Sequence, residues 1–148
     1  MLDSLNKTDF RNHIIHAVDN SQVNYRSYDP AEIPRLTAAQ AISEVSSSAG
    51  VVLPNLSDEI VDSNLHNLRV GFLLGLCHGY EIEALTIQFG NGPAPLDFRD
   101  FITNSTFKGE TERHVEEFCA DTLTWNQKAF SREWRGDLTR IIHAGRPI

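Results

Sequence analysis

Apolar residues recur at helical spacing from Asp9 to Val18, where Phe10, Ile14, Ile15 and Val18 share one face. Asn20-Ser21 ends that pattern. From Val23 to Tyr28 the period shortens to alternation, with Val23, Tyr25 and Ser27 opposite Asn24, Arg26 and Tyr28, which predicts a strand closed by the turn Asp29-Pro30. Thr37-Ala38-Ala39-Gln40 is a capping-box sequence, and the helix it opens carries Ala38, Ala41, Ile42 and Val45 and stops at Gly50. Val51-Val52-Leu53 then reads as a strand buried on both faces, as in parallel sheets. Asp62 or Ser63 caps a third helix, polar at Asn64, His66 and Asn67 and almost wholly apolar from there to Cys77. Such a helix is expected to be buried all round. Gly71, Gly75 and Gly79 fall four apart on it, a bare stripe whose usual purpose is tight packing.

Ala84 to Phe89 is the clearest strand, broken by Gly90-Asn91-Gly92-Pro93. A short helix is predicted from Leu96 to Ile102. After Gly109 a long amphipathic helix carries Val115, Phe118, Cys119, Leu123 and Phe130, and Trp134, Leu138 and Ile141 continue its face. The order α-β-α-β-α-β-α-α predicts an α/β domain over residues 1–108, a short parallel sheet covered on both faces, with residues 109–148 as a helical extension on the same core. The chain opens with a helix and shows three clear strands, whereas doubly wound domains open with a strand. The expectation is a first strand supplied from an upstream segment of a larger protein, in preference to a poor edge strand at Leu2 to Leu5.

Composition narrows the class. At 148 residues with 41% hydrophobic content the chain suits one core. It lacks an apolar run of about 18 residues, and Met1 to Lys7 lacks the regions of a signal peptide, so a cytoplasmic location is expected. Cys77 and Cys119 lie in apolar helical patterns and read as buried thiols of a reduced protein. The net charge of −7 argues against duplex nucleic acid or an anionic membrane as partner.

In a parallel sheet the loops at the strands' carboxyl ends gather on one rim, where ligands of open α/β sheets bind. Here these are Tyr28-Asp29-Pro30, the loop holding Asn55 and Ser57, and the loop holding Asn91. Asn67 and Arg69 rise from the second loop on the first turns of the third helix. That helix end favours an anionic group, and Arg69 offers a bidentate phosphate contact. Asp97 or Asp100 suits a ribose hydroxyl pair and Arg99 a phosphate, against the simpler roles of helix cap and ion-pair partner. His66 is a candidate general acid or base, against the plainer reading of a solvated histidine at a helix start. His78 reads as structural and His114 as solvated surface. His13 and His16, three apart, have no third ligand in sequence, so zinc is not expected. No Lys-Ser/Thr follows Gly90-Asn91-Gly92-Pro93, so it is not a phosphate loop.

Two stretches, Ser47-Ser48-Ala49-Gly50-Val51-Val52-Leu53-Pro54-Asn55-Leu56-Ser57 and Asp62 through Leu76-Cys77-His78-Gly79 to the strand Ala84–Phe89, resemble in layout Toll/interleukin-receptor-like (TIR-like) domains and nucleoside 2-deoxyribosyltransferases. The resemblance spans roughly residues 20–105. It implies a flavodoxin-like three-layer sandwich and a pocket for a nucleoside or NAD-like molecule, with cleavage at an N-glycosidic bond. Those enzymes place a glutamate early in the third helix. Here Asn64 to Gly71 contains no acid, which leaves Glu59 and Asp62 in the preceding loop as weak catalytic candidates beside His66.

Three functions follow as expectations. The first is a nucleotide-recognising TIR-like module in a larger bacterial defence or signalling protein. The second is an N-glycosidase or deoxyribosyltransferase acting on NAD or a nucleoside. The third is a protein-interaction domain, self-associating or docking through its carboxyl-terminal helices, where Trp125 and Trp134 are types enriched at binding hot spots.

Overall fold

The structure is a computed structural model that describes residues 2–3, 9–28, 36–60, 63–90 and 96–135, and side chains within 9–28, 36–60, 63–90 and 99–124. Its elements are β1 (Leu2–Asp3), α1 (Asp9–Asn20), β2 (Ser27–Tyr28), α2 (Ala38–Ser46), β3 (Gly50–Asn55), α3 (Ser63–Gly79), β4 (Glu83–Phe89), a 3-10 turn (Leu96–Phe101), β5 (Ile102–Ser105) and α4 (Lys108–Arg135). The strands form one sheet in the order β2-β1-β3-β4-β5, and every pair is parallel. The fold is α/β and flavodoxin-like, as expected.

Side-chain alternation along β3 divides the interior in two. Val52, with Ile87 of β4, meets Phe10, Ile14, Ala17 and Val18 of α1 and Val115 and Cys119 of α4. Val51 and Leu53 meet Ala41 and Val45 of α2 and Val70, Leu73, Leu74 and Cys77 of α3. Val51, Val52 and Leu53 are at most 5% exposed, so the strand is buried on both faces as predicted. The capping box of α2 is formed: Gln40 N–H donates to Thr37 Oγ1 at 3.2 Å and Thr37 N–H to Gln40 Oε1 at 3.0 Å. Gly50 lies beyond the end of α2 and opens β3, where a Cβ would stand 3.0 Å from the Phe118 ring and 3.1 Å from Thr122 Cγ2.

Four expectations are corrected. The opening strand lies within the chain at Leu2–Asp3, and it is interior: Leu2 is in register with Ser27 on one side and Val52 on the other. Two residues are too short to show alternation, so pairing rather than pattern reveals it. The strand predicted from Val23 shrinks to Ser27–Tyr28, because β1 pairs only there and residues 23–26 carry no ladder or other regular structure. The helix predicted from Leu96 to Ile102 is a 3-10 turn ending at Phe101, and Ile102 begins β5, which pairs with β4 from Thr86↔Ile102 to Phe89↔Ser105. Finally, α3 is not buried all round. As an outer-layer helix it has one face on the sheet, while Leu65, Leu68 and Phe72 are 61%, 72% and 47% exposed, and a Cβ at Gly75 or Gly79 would meet nothing within 4 Å. The expectations for Asp29, Asp62 and Asn91, for the side chains of Asp97, Trp125 and Trp134, and for Leu138 and Ile141 lie outside the described residues.

Candidate functional site

Because all strands run the same way, Asp3, Tyr28, Asn55, Phe89 and Ser105 end on one rim. From β1 the chain crosses to β2 on one side and then to β3 on the other, so the topological switch point falls between β1 and β3. The last residue of β3 is Asn55, 1% exposed, whose Nδ2 donates to Gln88 Oε1 at 2.7 Å across the β3–β4 register. Its Oδ1 is buried and has no hydrogen-bond partner among the described residues. A buried acceptor without a donor is costly, and such groups mark places where a ligand donor or ordered water completes the set.

The loop after Asn55 is pinned by α3. Asn67 Oδ1 accepts from Leu56 N–H at 2.9 Å and Asn67 Nδ2 donates to Leu56 O at 2.8 Å, a two-point clamp. One residue earlier, His66 Nε2 donates to Pro54 O at 2.6 Å. His66 is fully buried, which corrects its reading as a solvated histidine. The imidazole closes the end of β3 onto α3, and the hydrogen bond to a carbonyl puts the proton on Nε2. Ser57 accepts from Ile60 N–H at 3.0 Å and Glu59 N–H reaches Ser57 Oγ at 3.4 Å, so Glu59, exposed, sits in a tight turn beside the switch point. Arg69 is half-buried on the second turn of α3.

Further along the rim, Gly90 takes a φ of +82° and its N–H donates to Ser105 O at 2.7 Å. The buried hydroxyls of Ser105 and Thr111 stand 2.7 Å apart. Thr106 N–H and Oγ1 both donate to Glu110 Oε2, at 2.7 and 3.0 Å, and the backbone donor foremost holds the Glu110 carboxyl below its ordinary range. Arg99 and Asp100 are exposed on the 3-10 turn, apart from the Asn55 cluster's hydrogen bonds.

Tyr28 belongs to a different group. Its hydroxyl is pushed above the usual phenol range first by burial and then by a hydrogen bond with Glu44, whose carboxylate Arg26 also meets at 2.8 Å. The structure thus gathers Asn55, Ser57, Asn67 and His66 at one place and draws Tyr28 towards α2. Among the described residues no three His, Cys, Asp or Glu side chains gather as metal ligands, and His16 faces Glu112 at 3.0 Å instead. No helix of the described residues is long and apolar enough to cross a membrane.

A cleft of about 800 Å³ opens at the opposite, amino-terminal end of the sheet, between Tyr25, Arg26, Ser48, Gly50, Phe118 and Thr122. It lies between residues 23–26, which carry no regular structure, and the start of β3 at Gly50, where no described strand lies. The sequence carries no sign of it, because its walls come from residues far apart in the chain, Val18–Arg26, Ser43–Val52 and Phe118–Leu123. Its size does not make it the better site: the Arg26–Glu44 pair in its wall is already satisfied, whereas the rim holds the switch point and the unpaired acceptor.

The chain is similar to a crystal structure of the flavodoxin-like domain of a Synechococcus sp. protein, with a TM-score of 0.59 and 16% identity over 90% of this chain and 96% of that one. That likeness shows the fold. No protein-family model and no curated protein matches the chain.

Proposed function

We propose that the chain is a nucleotide-recognising module of the TIR-like type, which binds an NAD-like molecule at the β1/β3 switch point and does not cleave it. The observation that carries the reading is the buried Asn55 Oδ1, without a hydrogen-bond partner among the described residues, on the strand beside that switch point. It suits a donor such as a ribose hydroxyl or base N–H, with Ser57 in the turn beside it and Arg69 as the cation for phosphate. The layout of Ser47–Ser57 and of α3 supports the TIR-like assignment, and with it a place in a larger bacterial defence or signalling protein. Recognition is favoured over turnover because Asn64 to Gly71 carries no carboxylate where the enzymes it resembles keep their glutamate.

Calorimetric titration with NAD, ADP-ribose and cyclic nucleotides tests the reading. Heat from at least one of them is expected, with affinity reduced at least tenfold in Arg69→Ala and unchanged in the cleft variant Arg26→Ala. No heat from any of the three would overturn it. Chromatography of NAD incubations is expected to show no free nicotinamide. Release that disappears in Glu59→Gln would replace recognition by N-glycosidase activity.

A further inference from the structure

Two phenyl rings stand uncovered at the carboxyl-terminal rim. Phe89, the last residue of β4, is 42% exposed, and Phe107, two residues beyond the end of β5, is 62% exposed. The two strand ends are tied together, with Phe89 in register with Ser105 and Gly90 N–H donating to Ser105 O at 2.7 Å. Phe89 is in phase with Ile87, so it lies on the α1/α4 side of the sheet. There its ring meets that of the buried Phe10, with centroids 5.7 Å apart and planes tilted by 48°, a contact that anchors it. Just beyond it the chain turns at Gly90, where a Cβ would meet nothing within 4 Å. The Phe107 ring lies beside Gly109 in the first turn of α4, its Cε2 3.4 Å from the position of a Cβ there. A single exposed phenyl ring is ordinary on a protein surface. Two on neighbouring strand ends, at the rim where ligands of parallel sheets bind, make an aromatic face.

We propose that this face, with Phe89 as its floor and Phe107 at its flank, stacks the planar base of the bound nucleotide. The inference rests on the reading of the rim as a nucleotide site and divides that site in two. Asn55 is in register with Gln88, the residue before Phe89, yet it is in phase with Val51 and Leu53, so its amide lies on the α2/α3 side of the strand ends. The sugar and phosphate therefore lie over the end of β3 towards α3, and the base crosses the end of β4 to the α1/α4 side. Phe89, Asn55 and Arg69 succeed one another from the α1/α4 face over the strand ends to the α3 layer. Base, ribose and phosphate succeed one another in the same order along a nucleotide. A phenyl ring carries no hydrogen-bonding group and grips the flat face of a base rather than its edge. The site accordingly separates ligands with a base from ligands without one, more than one base from another.

Calorimetric titration of the full chain compares ADP-ribose with ribose 5-phosphate, which keeps the sugar phosphate and lacks the base. In Phe89→Leu the affinity for ADP-ribose is expected to fall about tenfold, the scale of one base–aromatic stack, while ribose 5-phosphate binds as in the parent. Phe89→Tyr keeps the parent's affinity, Phe107→Leu shows a smaller loss, and Phe101→Leu, at the opposite end of β5, changes neither ligand. In Phe89→Trp, ADP-ribose quenches indole fluorescence beyond any change seen in the parent, and ribose 5-phosphate does not. Parent-like binding of ADP-ribose by Phe89→Leu overturns the inference and leaves the nucleotide reading in place wherever Arg69→Ala still weakens binding. Equal losses for the two ligands, or no added quenching in Phe89→Trp, also overturn it, since the ring then acts through the fold and not by stacking. No binding of ADP-ribose by the parent overturns it as well, and silence from NAD and cyclic nucleotides besides removes the reading beneath it.

Discussion

Asn67 and His66 are polar residues whose work is to hold a backbone in place. Asn67 satisfies both the N–H and the C=O of Leu56, and His66 satisfies the C=O of Pro54. Asn67→Ala therefore strands a donor and an acceptor in a part-buried loop, and a loss of about 2 kcal/mol is expected in urea denaturation. Asn67→Asp keeps the acceptor and is expected to fall between the two. Neither role was legible in sequence, where both residues stood in a polar stretch at a helix start. Whether such a turn faces water or its own preceding loop depends on the path of residues 56–60, which no local pattern encodes. The cysteines were legible, because each sits at an apolar position of a periodic run. Both are buried, and burial pushes the Cys77 thiol up to about 11. The native thiol stays neutral where an unfolded one ionises, so its contribution is whole below about pH 8.5, the ordinary cysteine value. It is lost as the pH rises towards the native value of about 11. Cys77→Ala is expected to flatten the alkaline limb of the stability profile, and Cys77 in the native chain to resist iodoacetamide at neutral pH.

At the scale of elements, legibility followed the number of residues over which a pattern repeats. The reciprocal cap and start of α2, three of the six residues of β3 (Val51–Leu53) and six of the seven of β4 (Ala84–Phe89) were read in place, though α2 ends at Ser46 and not at Gly50. Strands of two and four residues, β1 and β5, were not, since they are specified by the neighbours they pair with. The cap gives a test confined to one element. Thr37→Ala is expected to cost about 1 kcal/mol, and Thr37→Ser to restore nearly all of it. The junction of β3 with α4 gives a second. A Cβ on Gly50 would press on Phe118 and Thr122, so Gly50→Ala is expected to destabilise by about 1–2 kcal/mol through overpacking. Combining it with Phe118→Leu should recover part of that loss, a coupling that a double-mutant cycle measures. Additive losses would mean that α4 does not approach Gly50 closely.

For the whole molecule, the sheet separates two apolar layers that share its strands. Val52 of β3 packs on the α1/α4 side and its neighbours Val51 and Leu53 on the α2/α3 side, so neither layer has a complete wall without the same backbone. The sequence pointed to this arrangement through the unbroken apolar run at β3, yet it was silent on how tightly α4 is bound into it. In the structure α4 contributes Val115, fully buried, to the cluster that holds Phe10 and Ile14 of α1, and its first turn is tied to β5 through Ser105 and Thr111. Truncating Val115 to alanine should therefore weaken the entire fold by about 2 kcal/mol rather than loosen one helix. Val70→Ala, in the opposite layer, should cost a similar amount. Because the two sites lie on different faces and share no packing cluster, the double variant should show the sum of the two losses. In each variant the far-ultraviolet and near-ultraviolet dichroism should trace a single coincident urea transition, as they should in the parent. If Val115→Ala instead split the transition, with helical signal lost before the sheet's packing signal, α4 would be an independently melting extension. The switch point would then have to be understood from the remaining elements alone.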